Sequence, residues 1–343
     1  MMLDHCYQGD CRAVMRDLIA TGVRVQCIIT SPPYWGLRDY GVDGQLGLEP
    51  TLREFLDNMV EVFDLCRELL ADDGTLWLNM GDAYCSTDKW GGGKGGNTGK
   101  QTVADDGSVP SWAVRQRTQP QDGFKPKDLY GQPWRLAFAL QDAGWWLRQD
   151  IVWAKPNPMP ESVRDRCTKA HEYLFLLTKS ARYHFDAEAI KEPATYGATP
   201  TGVGFGHGYD ENTKTRVGSK RNSFARETKY SAGEHGQKAQ HRAGREDVDY
   251  SQTRNKRSVW TIPTQSFTGA HFATFPEALV EPCVLAGSRP GDIVFDPFMG
   301  SGTVASVAQR LGRRWLGAEL NPEYIALQAE RTRQPGLVLE VAA

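Results

Sequence analysis

Residues 292–319, DIVFDPFMGSGTVASVAQRLGRRWLGAE, constrain the fold of this chain more than any other stretch. Ile293, Val294 and Phe295 form a short apolar run without polar alternation, the pattern of a strand buried on both faces. Asp296 closes that run, and the remainder reads as a glycine-rich loop, a helix and a second strand. A βαβ unit of this kind predicts parallel strands joined by a crossover, with helices covering the sheet.

Other segments fit the same plan. Arg24 to Thr30, RVQCIIT, predicts a buried strand that stops at Ser31-Pro32-Pro33, because proline cannot continue a central strand. Leu52, Phe55, Leu56, Met59, Phe63, Cys66 and Leu70 recur at helical spacing, and Thr51 with Glu54 has the spacing of a capping box. Asp73-Gly74 is expected to turn the chain into a strand at Thr75–Asn79, which ends at Gly81-Asp82. A helix is predicted over 133–144, strands over 145–155 and 172–179, and a further helix in PEALVEPCVLAG. The expected fold class is α/β, with a mostly parallel central sheet interrupted by two insertions.

Composition bounds the rest. The 40 Lys and Arg nearly balance the 42 Asp and Glu, so the whole chain carries no general attraction for polyanions. Residues 211–258, however, hold 12 basic against 6 acidic residues, a net of +6, which suits a lobe that meets a polyanion and equally suits a solvated face. Seven dispersed cysteines without a close pair argue against a disulfide scaffold or a thiolate zinc site. After His171-Glu172 the second histidine of a zinc helix is replaced by Phe175, so no metal is expected. GKGGNTGK in the breaker-rich stretch 86–125 fails as a phosphate loop, since Lys94 stands where glycine is needed and Gln101 follows Lys100. Nothing resembles a secretion signal or an unbroken apolar span, so the expectation is a cytoplasmic protein with no membrane partner.

Two loops carry candidate chemistry. Gly300 and Gly302 let the backbone approach a ligand, and Glu319, nineteen residues beyond Gly300, can accept hydrogen bonds from a ribose diol. Ser31-Pro32-Pro33-Tyr34-Trp35 follows another buried strand. Its prolines fix a carbonyl and the Ser31 hydroxyl toward one polar target, while Tyr34 or Trp35 offers a flat stacking face. A planar amine suits this arrangement.

TSPPYW at 30–35 and DPFMGSGT at 296–303 together resemble the amino-directed DNA methyltransferases that use S-adenosylmethionine, in the permuted order that puts the catalytic motif first. KDLYGQPWRLAFALQDAGWW, IVWAKPNPMPESVRDR, HEYLFLLTK and HFATFPEALVEPCV extend the resemblance over nearly all of the chain outside the insertions. It implies a Rossmann-like methyltransferase core. Residues 1–85 would form its catalytic half, 86–125 an insertion, 126–180 a continuation of the core, 181–262 a target-recognition region and 263–343 the cofactor half. The resemblance also implies that Phe298, Gly300, Ser301, Gly302 and Thr303 surround the methionyl part of the cofactor, with Glu319 on the ribose. Phe275 and Glu277 would close the methionine end, Asp10 would lie near the adenine, and Asp296 would shape the pocket.

The implied reaction is direct transfer to an exocyclic amine of a base rotated out of duplex DNA. Ser31 and the Pro32 carbonyl hold the amine and Tyr34 stacks on the base. Serine at the first motif position is more frequent in N4-cytosine enzymes of the family, so cytosine N4 is the expected target and adenine N6 the alternative. A noncatalytic DNA-binding protein with a relic fold is the alternative of another class. C5 chemistry would need the Pro282-Cys283 thiol, which lies within an apolar helical pattern. Lys220, Arg221 and Arg226 are the expected DNA contacts, and a cognate restriction endonuclease is the further partner such an enzyme can have.

Overall fold

The computed structural model describes residues 2–85, 123–193, 253–265 and 275–333. Contacts divide the chain into two units, Met1–Ile190 with Arg257–Ala343, and Lys191–Lys256.

The first unit opens with β1 (His5–Gln8), α1 (Cys11–Ala20), β2 (Val25–Thr30), α2 (Leu52–Leu69) and β3 (Leu70–Met80). It continues through α3 (Gln132–Asp142), β4 (Trp146–Ala154) and β5 (His171–Thr178). In the second unit β6 (Glu192–Pro193) pairs antiparallel with β7 (Thr253–Arg254), and Arg254 meets Glu192 at 2.8 Å. The first unit resumes with β8 (Val259–Thr261), α4 (Glu277–Gly287), β9 (Ile293–Asp296), α5 (Thr303–Arg310), β10 (Arg314–Glu319) and α6 (Pro322–Arg331). Lys220, Arg221 and Arg226, with most of the 86–125 insertion, lie outside the described residues.

Eight strands form one sheet in the order β1-β10-β9-β2-β3-β5-β4-β8. Only β5 runs against its neighbours, so the predicted mostly parallel α/β sheet is what forms. The central strands are apolar on both faces because both faces are covered. Ile28, Leu76, Leu78, Phe295 and Leu316 point into one core with Met15, Phe55, Met59 and Phe63 of α1 and α2. Cys27, Ile29, Trp77, Val294 and Trp315 point into the other, with Val280, Cys283, Val304 and Val307 of α4 and α5. Alternation of neighbours between two apolar layers is the two-residue period of a strand with no wet face.

The capping box forms as the spacing predicts: Thr51 Oγ1 accepts from the Glu54 N–H at 3.1 Å and Glu54 Oε2 accepts from the Thr51 N–H at 3.1 Å. The Asp73-Gly74 turn does not form. β3 starts at Leu70 directly after α2, and residues 71–74 make a bulge, since Val25 pairs with Leu70 while Cys27 pairs with Thr75. A Cβ on Gly74 would stand 2.9 Å from the Gln26 carbonyl oxygen, so glycine serves close approach here rather than a turn. The sheet also claims Val259–Thr261, which the sequence reading assigned to the recognition insertion.

Candidate functional site

Parallel pairing decides where the site lies. Cys27 is level with Val294, Gly317 with Asp296, and Gln8 with Glu319, so the loops after β2, β9, β10 and β1 leave the same edge of the sheet. Loops at the carboxyl ends of parallel strands are where open α/β sheets bind ligands. Because β5 is antiparallel, its first residues reach that edge too: Trp153 is level with Glu172.

A cavity of about 340 Å³ opens there. Ser31, Pro32, Pro33 and Tyr34 line one part, and Phe298, Gly300, Ser301, Thr303 and Glu319 line another. Asp10 and Phe275 also reach it. The two sequence motifs, 266 residues apart at Thr30 and Asp296, are tied by a hydrogen bond of 2.7 Å from Thr30 Oγ1 to Asp296 Oδ1.

The glycine turn is built for backbone donors. Gly300 and Gly302 have φ of +52° and +84°, in the left-handed region that costs other residues strain. This directs the Gly300 N–H to Glu319 Oε2 at 2.8 Å, while Glu319 Oε1 accepts from the Asn321 N–H at 2.8 Å. Two backbone donors thus lock the carboxylate at the cavity wall. Burial raises its proton affinity above the ordinary carboxylate range, and these two bonds oppose the rise. A fixed carboxylate acceptor in a cavity that Tyr324 also lines suits a ribose diol joined to a purine.

Asp296 sits behind the wall, wholly buried, accepting from Thr30 and from the Phe298 N–H at 2.9 Å. Burial pushes its carboxyl up to about 7, against the opposing pull of those bonds. The folded chain therefore holds a proton that the unfolded chain has lost between about pH 4 and pH 7, and stability falls as pH rises through that window. Asp296→Asn keeps an oxygen for both donors and cannot ionise. Denaturant midpoints measured from about pH 4 to about pH 8 are expected to decline less in this variant than in the parent. Parallel curves for the two proteins would contradict the burial argument.

Several expected site residues stand elsewhere. Trp35 is not a stacking face: it is 2% exposed, edge-on to Tyr130, with its indole N–H on the Glu49 carbonyl at 2.9 Å. Only its neighbour Tyr34 faces the cavity, because the turn sends adjacent side chains opposite ways. Glu277 turns to α5, with Ser306 Oγ at 3.4 Å and Arg310 at 3.7 Å, and is not among the lining residues. Gly302 also stands back from the cavity and packs on Gln328, whose Cγ would be 3.0 Å from an added Cβ. Asp10 reaches the cavity, but its carboxylate caps α1 and is gripped by Arg12 at 2.6 Å, which holds its pKa down. Cys283 is buried in α4 and donates to the Leu279 carbonyl, so no thiol of a Pro-Cys pair faces the cavity.

Sequence reasoning missed Lys155 and Glu172. Both line the cavity and pair with each other, and Glu172 Oε2 accepts from Tyr34 Oη at 3.0 Å. The available signal was a charged residue just after one strand, WAK, and another at the start of the next, HEY.

A family model described as DNA methylase, for the N6 and N4 enzymes, matches residues 25–331. The type II methyltransferase M.Cfr9I of Citrobacter freundii is 44% identical over 338 residues, covering 98% of this chain and 90% of its own length. M.SmaI of Serratia marcescens, also a type II methyltransferase, is 42% identical over 323 residues, 94% of this chain and 88% of its own. Among solved structures, the PvuII DNA methyltransferase (cytosine-N4-specific) matches with a TM-score of 0.57 over 97% of this chain and 87% of its own, at 17% identity, a likeness of fold. Among the described residues no helix is long and apolar enough to cross a membrane, and no three His, Cys, Asp or Glu residues group as a metal site. This chain belongs to the N6/N4 DNA methylase family and is a type II DNA methyltransferase that draws its methyl group from S-adenosylmethionine.

Proposed function

We propose that the methyl group goes to the exocyclic N4 amine of cytosine, in double-stranded DNA from which the target base has been turned out. The single observation that carries this reading is the shared cavity, with Ser31 and Tyr34 on one wall and the Gly300 turn with Glu319 on the other. Ser31, the residue more frequent at this position in N4-cytosine members of the family, selects cytosine over adenine.

Ser31 Oγ and the Pro32 carbonyl accept the two amine hydrogens, and the Tyr34 ring stacks on the base. Directing those hydrogens draws the nitrogen lone pair out of ring conjugation and toward the methyl donor. When bound, S-adenosylmethionine supplies a methyl group already activated on a positive sulfur, so alignment is the main demand on the protein. Glu319 accepts from the ribose hydroxyls. Phe298, Gly300, Ser301 and Thr303 surround the methionyl end, Phe275 covers it, and Asp10 borders the adenine. The part of residues 181–262 that lies outside β8 reads the DNA site, and Lys220, Arg221 and Arg226 contact phosphates. The type II designation of the relatives supports a restriction endonuclease of matching specificity as the functional partner.

DNA incubated with the enzyme and isotopically labelled S-adenosylmethionine tests the choice of base. Mass spectrometry of its nucleosides is expected to find the label in N4-methylcytosine. Label in N6-methyladenine alone would move the target to adenine.

A further inference from the structure

Methyl transfer to an amine leaves a problem of charge. The attacking nitrogen gains a methyl group and keeps both hydrogens, so it becomes a cation and must lose one proton. Protonated on a conjugated ring, such a nitrogen is a strong acid, and a carboxylate suffices as acceptor. One carboxylate is wired to the catalytic turn. Ser31 Oγ lies 3.4 Å from Tyr34 Oη, and Tyr34 Oη donates to Glu172 Oε2 at 3.0 Å. On its far side Glu172 Oε1 pairs with the Lys155 ammonium, and that ammonium lies 4.3 Å from the centre of the Trp153 ring. Lys155 and Glu172 are only 17% and 18% exposed, so their pairing is weakly screened.

We propose that Glu172 is the terminal acceptor of the proton released by methyl transfer, reached through Ser31 and Tyr34, and that Lys155 holds Glu172 in place as a carboxylate. The proposal rests on the roles of Ser31 and Tyr34 given under Proposed function. The N–C bond forms as the S–C bond breaks, and the electron pair of the broken bond stays on sulfur. The amine proton passes to Ser31 Oγ, the Ser31 hydroxyl proton to Tyr34 Oη, and the Tyr34 proton to Glu172 Oε2. The products are a neutral methylated base, a neutral thioether and a neutral Glu172 carboxyl, which lines the cavity and returns its proton to solvent once the products have left. Burial and the Glu172 charge make the Tyr34 hydroxyl harder to ionise, which suits a group that passes a proton on and holds no charge. Glu172 acts through Tyr34 and is a relay and positioning residue. Gly81 keeps the Tyr34 ring in register, since a Cβ there would stand 2.9 Å from the ring.

Tyr34→Phe removes the hydroxyl and keeps the ring, while Glu172→Gln keeps an oxygen for Tyr34 and cannot take the proton. Single-turnover rates with S-adenosylmethionine and duplex DNA carrying the mapped methylation site are expected to fall about 10²-fold in each. The dissociation constants for both ligands should stay within about twofold, well inside that loss. The double variant should be no slower than the slower single variant, because both changes cut one chain. A solvent deuterium isotope effect on the parent rate should disappear in Tyr34→Phe. Full rate in Tyr34→Phe, or losses that multiply in the double variant, would overturn the relay. Should Glu172→Gln melt at the assay temperature, Tyr34→Phe decides alone by rate and isotope effect. Tyr34→Ala separates this proposal from the reading beneath it: a slow Ala variant beside a fast Phe variant keeps the stacking role and removes the relay, whereas a fast Ala variant removes both.

Discussion

Ser31→Ala is expected to slow single-turnover methyl transfer by about 10²-fold, the cost of removing one fixed hydrogen-bonding group from a reacting centre. S-adenosylmethionine should bind as before, because Ser31 and Glu319 stand on different walls of the cavity and no hydrogen bond joins them. Tyr34→Ala should act on the base as well as on the proton path, since it removes the ring together with the hydroxyl. Loss of the ring forfeits a stacking contact worth about 1–3 kcal/mol, and capture of the turned-out base should weaken accordingly. Rapid-quench transfer of labelled methyl groups measures the first effect, and fluorescence of a base analogue at the target position measures the second. Unchanged transfer in both variants would remove the catalytic assignment of the turn.

Glu319→Ala is expected to weaken S-adenosylmethionine binding by about 10²-fold. A bond to an ionised acceptor contributes roughly 1.5–3 kcal/mol, and the carboxylate is offered to two ribose hydroxyls. The change also releases the Gly300 and Asn321 N–H groups, which the carboxylate holds at 2.8 Å each, so the glycine turn loses its anchor. Glu319→Gln, which keeps an oxygen acceptor without the charge, should fall between the parent and Ala. Calorimetric titration with cofactor checks the order, and equal affinity in all three proteins would show that the carboxylate faces no ligand hydroxyl.

The parts of the architecture that were legible in the sequence share one physical cause. Buried strands such as Cys27–Thr30 and Ile293–Asp296 end in residues that stop a ladder, prolines after Thr30 and after Asp296, and those stops are also the ligand loops. Helix α2 was legible because both its apolar period and its capping box are local. Misreadings arose where a residue's task depends on distant partners. Nothing local distinguishes Tyr34 from Trp35. Trp35 enters the core because Tyr130, Gln132 and Glu49, scattered along the chain, receive it. Glu172 meets Tyr34 across 138 residues through β5, which runs against its neighbours in the large sheet, a reversal that apolar periodicity does not encode. Gly74 looked like a turn because the need for close approach to Gln26 is invisible without the neighbouring strand. Val259–Thr261 is three residues long beside a basic stretch, too short to carry a period of its own.

A crystal structure with duplex DNA and a nonreactive S-adenosylmethionine analogue tests the central claim most directly. One cavity is expected to hold two guests, with the analogue's ribose on Glu319 and an extrahelical cytosine on Tyr34, its amino group facing Ser31. A stacked target base, or an analogue bound away from the Gly300 turn, would contradict it.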